Sequence, residues 1–249
     1  MRIISKSQQA YGAFNRGQII ENKPIGFPQD HGFVRPYSSL FYWARAEGMV
    51  DSTIGLHPHQ GFEIMSFVLE GNIRHFDTKM NAWKPLQMGD VQIIRAGNGI
   101  SHAEQIEKGG VIFQIWVDPD LSKTLEKEAT YDDYKEADFE KEIVNDATII
   151  HYAGEKGLMK LDTPKVDIRR IKINAAPFDW SGNKSEIRSL YVLSGSGTIN
   201  GKTIEQDDFI IVDDGEDISL LPHKDKLDVF AFTVPTETGY PTYIQRNAG

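Results

Sequence analysis

The chain repeats itself. VLEG at Val68–Gly71 returns as VLSG at Val192–Gly195, and GDVQII at Gly89–Ile94 returns as DDFIIV at Asp207–Val212. GNGIS at Gly97–Ser101 then falls on GEDIS at Gly215–Ser219. The same blocks in the same order, twice within 249 residues, predict two copies of one supersecondary plan. The spacing differs by a few residues, as a shorter hairpin loop in the second copy would produce.

The repeated unit reads as β. Short runs rich in Val, Ile, Phe, Tyr and Trp stand between Gly, Pro, Asn and Asp punctuation. They are Ser39–Ala46, Glu63–Glu70, Asn72–Asp77, Val91–Arg95, Val111–Val117, Asp167–Ile173, Ser189–Leu193, Gly197–Ile199, Phe209–Val212 and Val229–Thr233. Many short strands with tight turns argue for sandwiches or barrels. The stretch Pro119–Asn145 is charge-dense and contains LSKTLEKEA, a short helix by its pattern. It reads as the interdomain connection, giving domains at 1–134 and 135–249 with a linker at about 119–145.

Composition narrows the chemistry. A formal net charge of −9 disfavours non-specific binding to nucleic acid or anionic membrane. With no cysteine, disulfides and thiolate metal sites are excluded, and any metal must use His, Asp, Glu or water. The opening MRIISKSQQAYG lacks the apolar stretch of an export signal, and Val111–Val117 is too short to span a bilayer. The expected location is the cytoplasm.

Two residue pairs carry the chemistry: His57-Pro58-His59 and His102-Ala103-Glu104. Spacing i, i+2 on a strand puts both side chains on one face. Two adjacent strands bearing such pairs would bring three imidazoles and a carboxylate to one point. That set suits one divalent transition metal, among them Fe(II), Mn(II), Ni(II), Co(II), Zn(II) or Cu(II), and leaves positions open. In the second copy His57 and His59 fall opposite Ser181 and Asn183, and His102 and Glu104 opposite Leu220 and Pro222. Joint loss of all four is what a duplicated domain would show after giving up a metal site.

GLHPHQGFEIMSFVLEG and GDVQIIRAGNGISHAE resemble the paired motifs of the cupin superfamily, and more closely those of the pirin family. VIFQIWVDPDLSKTLEKEATYDDY also fits that family, and the resemblance runs from about Phe33 to Tyr134. It implies an all-β bicupin: two cupin-type sandwich or barrel domains in tandem, a few short helices, and one metal site in the first domain. Cupins usually take a Glu ligand from the first motif, here Glu63; pirin-like proteins use the Glu after the last His, here Glu104. Glu63 lies four residues beyond His59, roughly 13 Å on a straight strand. A bend at Gly61 would close that gap, so Glu63 stays a candidate to support the ligands, and either Glu63 or Glu104 is a candidate proton acceptor. His75 is either support for the ligands or an exposed strand histidine. His31, His151 and His223 read as structural or solvated. Gly97 and Gly99 read as a tight turn before the second ligand strand. Phe41, Trp43, Phe62, Met65 and Phe113 are candidate pocket walls.

Resemblance tips the metal to Fe(II) and implies a dioxygenase of the quercetin 2,3-dioxygenase type, acting on a small aromatic substrate with dioxygen. The alternative is a non-catalytic, metal-dependent module that binds a regulatory protein partner. A purely structural metal fits less well, because such sites are closed and tetrahedral.

Overall fold

A computed structural model, which describes residues 1–224 and 226–247, is built almost wholly of antiparallel strands. Glu63–Glu70, Asn72–Asp77, Val91–Arg95, Val111–Val117, Asp167–Ile173 and Phe209–Val212 have the expected ends. Leu40–Gly48, Glu186–Ser194 and Leu227–Pro235 run beyond them. No helix among the described residues is long and apolar enough to cross a membrane.

The chain forms two compact units. The N-terminal unit holds Gln9–Ala137, Leu161–Pro164 and the chain from Gly239 onward; the C-terminal unit holds Met1–Gln8, Asp138–Lys160 and Lys165–Thr238. This departs from a simple cut at 134/135. Arg2–Ile4 pairs with Phe209–Val212 in the C-terminal unit, while Tyr240 donates to the Asp118 carbonyl in the N-terminal one. The 119–145 stretch contains the Ala137/Asp138 boundary between the units and is itself largely structured. After a short helix at Leu121–Thr124, Thr130–Tyr134 pairs with Val91–Arg95, and Glu140–Val144 pairs with Ala147–Ala153. Its charge density belongs to two sheet-edge strands, which natural proteins commonly make charged.

Each unit pairs a seven-stranded sheet with a four-stranded one. In the N-terminal unit the large sheet runs from Thr130–Tyr134 through Val91–Arg95, Glu63–Glu70, Val111–Val117, Leu40–Gly48 and Ile19–Ile25 to Ala10–Phe14. The small one runs Ser52–His59, Ile100–Ile106, Asn72–Asp77, Ala82–Gln87. Ile19, Ala46, Val68 and Ile112 from the first meet Ile73, Leu86 and Ile106 from the second in one core. The C-terminal unit repeats the plan, its small sheet running Phe178–Trp180, Ile218–Pro222, Ser196–Ile199, Lys202–Glu205.

Strand register corrects the alignment of the two copies. His102 pairs with His57 and Ile100 with His59, whereas Leu220 pairs with Phe178 and Ile218 with Trp180. The counterparts of His57 and His59 are therefore Phe178 and Trp180. Ser181 and Asn183 lie past the end of that strand. Phe178, Leu220, Ile218 and Ile199 are packed together in the C-terminal core, with Trp180 against them. Leu220→Ala should therefore lower the unfolding free energy by about 2–5 kcal/mol, as large-to-small core changes do. Urea titration followed by tryptophan fluorescence measures it.

Candidate metal centre

The small sheet of the N-terminal unit positions the histidines. Ser52–His59 is its edge strand, where Pro58, with no N–H to donate, is tolerated. Strand alternation turns His57 and His59 to one side. On the adjacent strand His102 stands opposite His57, and Glu104 opposite Ile54. The register slip leaves Gly55 and Leu56 facing Ala103 in a bulge. Gly97 and Gly99 have φ of +47° and +134°, in the turn that precedes this strand.

The three imidazoles form a near-equilateral triangle. Ring centroids are 4.7 Å apart for His57 and His59, 4.5 Å for His57 and His102, and 4.7 Å for His59 and His102. Nε2 of His59 and Nε2 of His102 are 3.0 Å apart. Two nitrogens each about 2.1 Å from one ion, at a right angle, would stand about 3.0 Å apart. His57 Nδ1 donates to the Gly55 carbonyl at 2.7 Å, which leaves its Nε2 lone pair free. Donor atoms of His57, His59 and His102 lie within 4.8 Å of one another, and so do those of His75, His102 and Glu104. His102 belongs to both groups. The donors present fit a divalent metal.

Burial, then the nearby His102 and His57, pushes His59 down to about 3. Burial, then His57 and His75, pushes His102 down to about 3. Both rings are neutral at pH 7, the form that binds metal.

Glu104 is wholly buried. Its Oε1 accepts from Ser66 Oγ at 2.8 Å and Gln92 Nε2 at 2.9 Å; its Oε2 accepts from Gln114 Nε2 at 2.5 Å. The expectation that Glu63 supports this centre is corrected. The chain does turn at Gly61, with φ +82°, but the turn carries Glu63 into the large sheet. There its carboxylate accepts from the backbone N–H groups of Asp162 and Thr163 at 2.7 and 2.8 Å, and from the Thr163 hydroxyl. Arg95 lies 3.7 Å away. Burial outweighs these bonds and raises Glu63 above the usual carboxylate range. His75 is buried rather than exposed; it stands opposite Glu104, 2.9 Å from Asp77 Oδ2, and stacks on Tyr131.

An aromatic wall adjoins the histidines. Trp116 sets its ring edge to face against His59 at 4.8 Å and packs on Phe27, Tyr42 and Phe62. Phe41 stacks on Phe62, and Tyr243 touches both. Of the expected wall residues only Phe41 and Phe62 belong here. In the register Trp43 and Met65 flank Ile115, while Ala44 and Ser66 flank Gln114. Trp43, Met65 and Phe113 thus face away from Glu104. Ser66, Gln92, Gln114 and Trp116 were not singled out from the sequence. The signal was available: Ser66, Gln92 and Gln114 are polar where the repeat has Leu190, Ile210 and Ala231.

Among solved structures, the bacterial pirin YhhW from Escherichia coli in complex with nickel(II) has the same fold. The TM-score is 0.78 over 94% of this chain and 98% of that one, at 20% identity. The tandem units are those of a bicupin. Residues 28–117 match the family model described as Pirin, and pirin-like protein 2 of Arabidopsis thaliana is 35% identical over 103 residues, 40% of this chain and 30% of that protein. The pirin likeness in sequence is thus carried by the N-terminal unit, and the fold of the whole chain is that of the pirin structure. The quercetin 2,3-dioxygenase of Escherichia coli strain K12 is 38% identical over 69 residues, 26% of this chain and 29% of that protein. These alignments span about a third of each curated relative.

The two depressed imidazoles make stability pH-dependent. A histidine of the unfolded chain takes up a proton near pH 6.5; His59 and His102 resist it in the folded state until about 3. Their contribution is complete above pH 6.5 and is lost progressively as pH falls toward 3. In chelator-treated protein, the melting temperature should fall more steeply over that range in the wild type than in His102→Gln. Thermal scans at half-unit steps measure the difference.

Proposed function

We propose that His57, His59, His102 and Glu104 hold one divalent transition metal, iron(II) by family resemblance, and that the centre oxidises flavonols such as quercetin with dioxygen. The observation that carries this reading is the triangle of imidazoles beside a buried carboxylate, opening onto an aromatic wall. Four protein donors leave an octahedral ion two open positions. Bound there, a metal supplies Lewis acidity toward a substrate oxygen and a redox centre for dioxygen.

The chain's own residues do the rest. His57 and His59 are the half-exposed members of the triangle and face the entrance, while His102 and Glu104 close the floor. Trp116 and Phe62 offer apolar ring surface to a flat aromatic substrate and keep water from it. Glu63 is committed to Asp162 and Thr163, which leaves Glu104 as the carboxylate of the centre.

Two measurements test this. Purified wild type should carry about one metal ion per chain and His102→Ala far less, because ligand loss strips such sites; equal occupancy rejects the ligand assignment. Iron-loaded wild type should consume oxygen with quercetin faster than His59→Ala, and faster than metal-free protein plus buffer iron. Equal rates reject the dioxygenase and favour the non-catalytic, partner-binding reading.

A further inference from the structure

The centre's fourth donor is held in an unusual way for a ligand. Ser66, Gln92 and Gln114 come from three neighbouring strands of the large sheet and sit in one cross-strand row, Gln92 opposite Ser66 and Ser66 opposite Gln114. All three donate to Glu104 across the barrel. A carboxylate offers about four lone-pair positions, two on each oxygen. Two donors occupy Oε1 and one occupies Oε2.

We infer that Ser66, Gln92 and Gln114 are positioning residues that leave Glu104 one usable lone pair, on Oε2, so that it meets a cation through a single oxygen. The inference rests on the proposed metal-holding role of Glu104 and adds which oxygen serves and what selects it.

The donors are themselves fixed. Gln92 Nε2 also donates to Ser66 Oγ at 3.0 Å, so the serine hydroxyl must turn its own hydrogen toward Glu104. Gln114 Oε1 accepts from the Trp116 indole N–H at 3.3 Å, which sets the amide with its NH2 group toward Glu104. The ring that lies against His59 thus also orients the amide that occupies half of Oε2.

The C-terminal unit supplies an independent observation. Leu190 pairs with Ile210 and with Ala231, as Ser66 pairs with Gln92 and Gln114. There the Glu104 counterpart is Pro222, opposite Gly197 as Glu104 is opposite His75. Leu190, Ile210 and Ala231 are buried apolar core. Carboxylate and all three donors are absent together, as expected of groups with one shared task. A barrel of this topology needs none of them to fold.

Cobalt(II) is a suitable probe, because its visible absorption reports the number and kind of its ligands. Two variants of the full-length chain separate the oxygens. Ser66→Ala with Gln92→Met frees Oε1; Gln114→Met frees the second position on Oε2. In each, cobalt affinity should fall about 10–100-fold, the usual effect of removing a partner that orients a ligand. The Ser66→Ala/Gln92→Met protein should also show an altered absorption spectrum, as both oxygens become available. Glu63→Gln, which disturbs a buried carboxylate bonded elsewhere, should lose stability yet keep the wild-type spectrum. Melting temperatures of the metal-free proteins confirm folding, and Gln92→Met alone replaces the double variant should that one fail to fold. Wild-type spectrum and affinity in the Oε1 variants would overturn the inference. A wild type that takes up no stoichiometric cobalt would overturn the underlying metal reading instead.

Discussion

The interior of the N-terminal barrel is organised around one carboxylate kept from water. Glu104 is wholly buried, and a group of that kind destabilises a fold unless its acceptor positions are filled. Here the filling comes from the facing sheet, so Glu104 ties the two layers together where an apolar contact would otherwise do so. The same bonds hold it at the level of His102, one step along the strand. The polar interior and the arrangement of candidate ligands thus share one set of bonds.

The two halves of the chain show that arrangement present and absent on one topology. Where the first unit has His57, His59, His102 and Glu104, the second has Phe178, Trp180, Leu220 and Pro222. Replacing a buried polar network with packed apolar groups is often neutral or stabilising, whereas removing a single member is costly. Such a network is therefore lost as a whole. The fully apolar counterpart in the C-terminal core is the expected end of that loss.

Much of this was legible in the sequence, for identifiable reasons. Strand runs such as Glu63–Glu70 and Val111–Val117 are punctuated by Gly or Pro and carry their ends in local chemistry. His57-Pro58-His59 declared a shared face by period alone. Glu63 was not legible, since its partners Asp162 and Thr163 lie about a hundred positions away and nothing local announces them. The pairing of Phe178 with Leu220 was hidden by loops of unequal length, which shifted the apparent counterparts by three residues. Charge misled at Thr130–Tyr134, because an edge strand and a solvated linker have similar composition.

The crossing-over of the chain ends bears on how the protein is made. The aromatic wall receives Tyr243 and Ile244 from the last described turn, where Tyr243 donates its backbone N–H to Asp118. During synthesis the N-terminal barrel is almost complete when Ala137 leaves the ribosome, yet this part of it is still about a hundred codons from being translated. At about 5–20 residues per second that is an interval of several seconds or more. The nascent barrel therefore spends it with Phe41 and Phe62 uncovered by their eventual neighbour, the state in which a chaperone has the freest access.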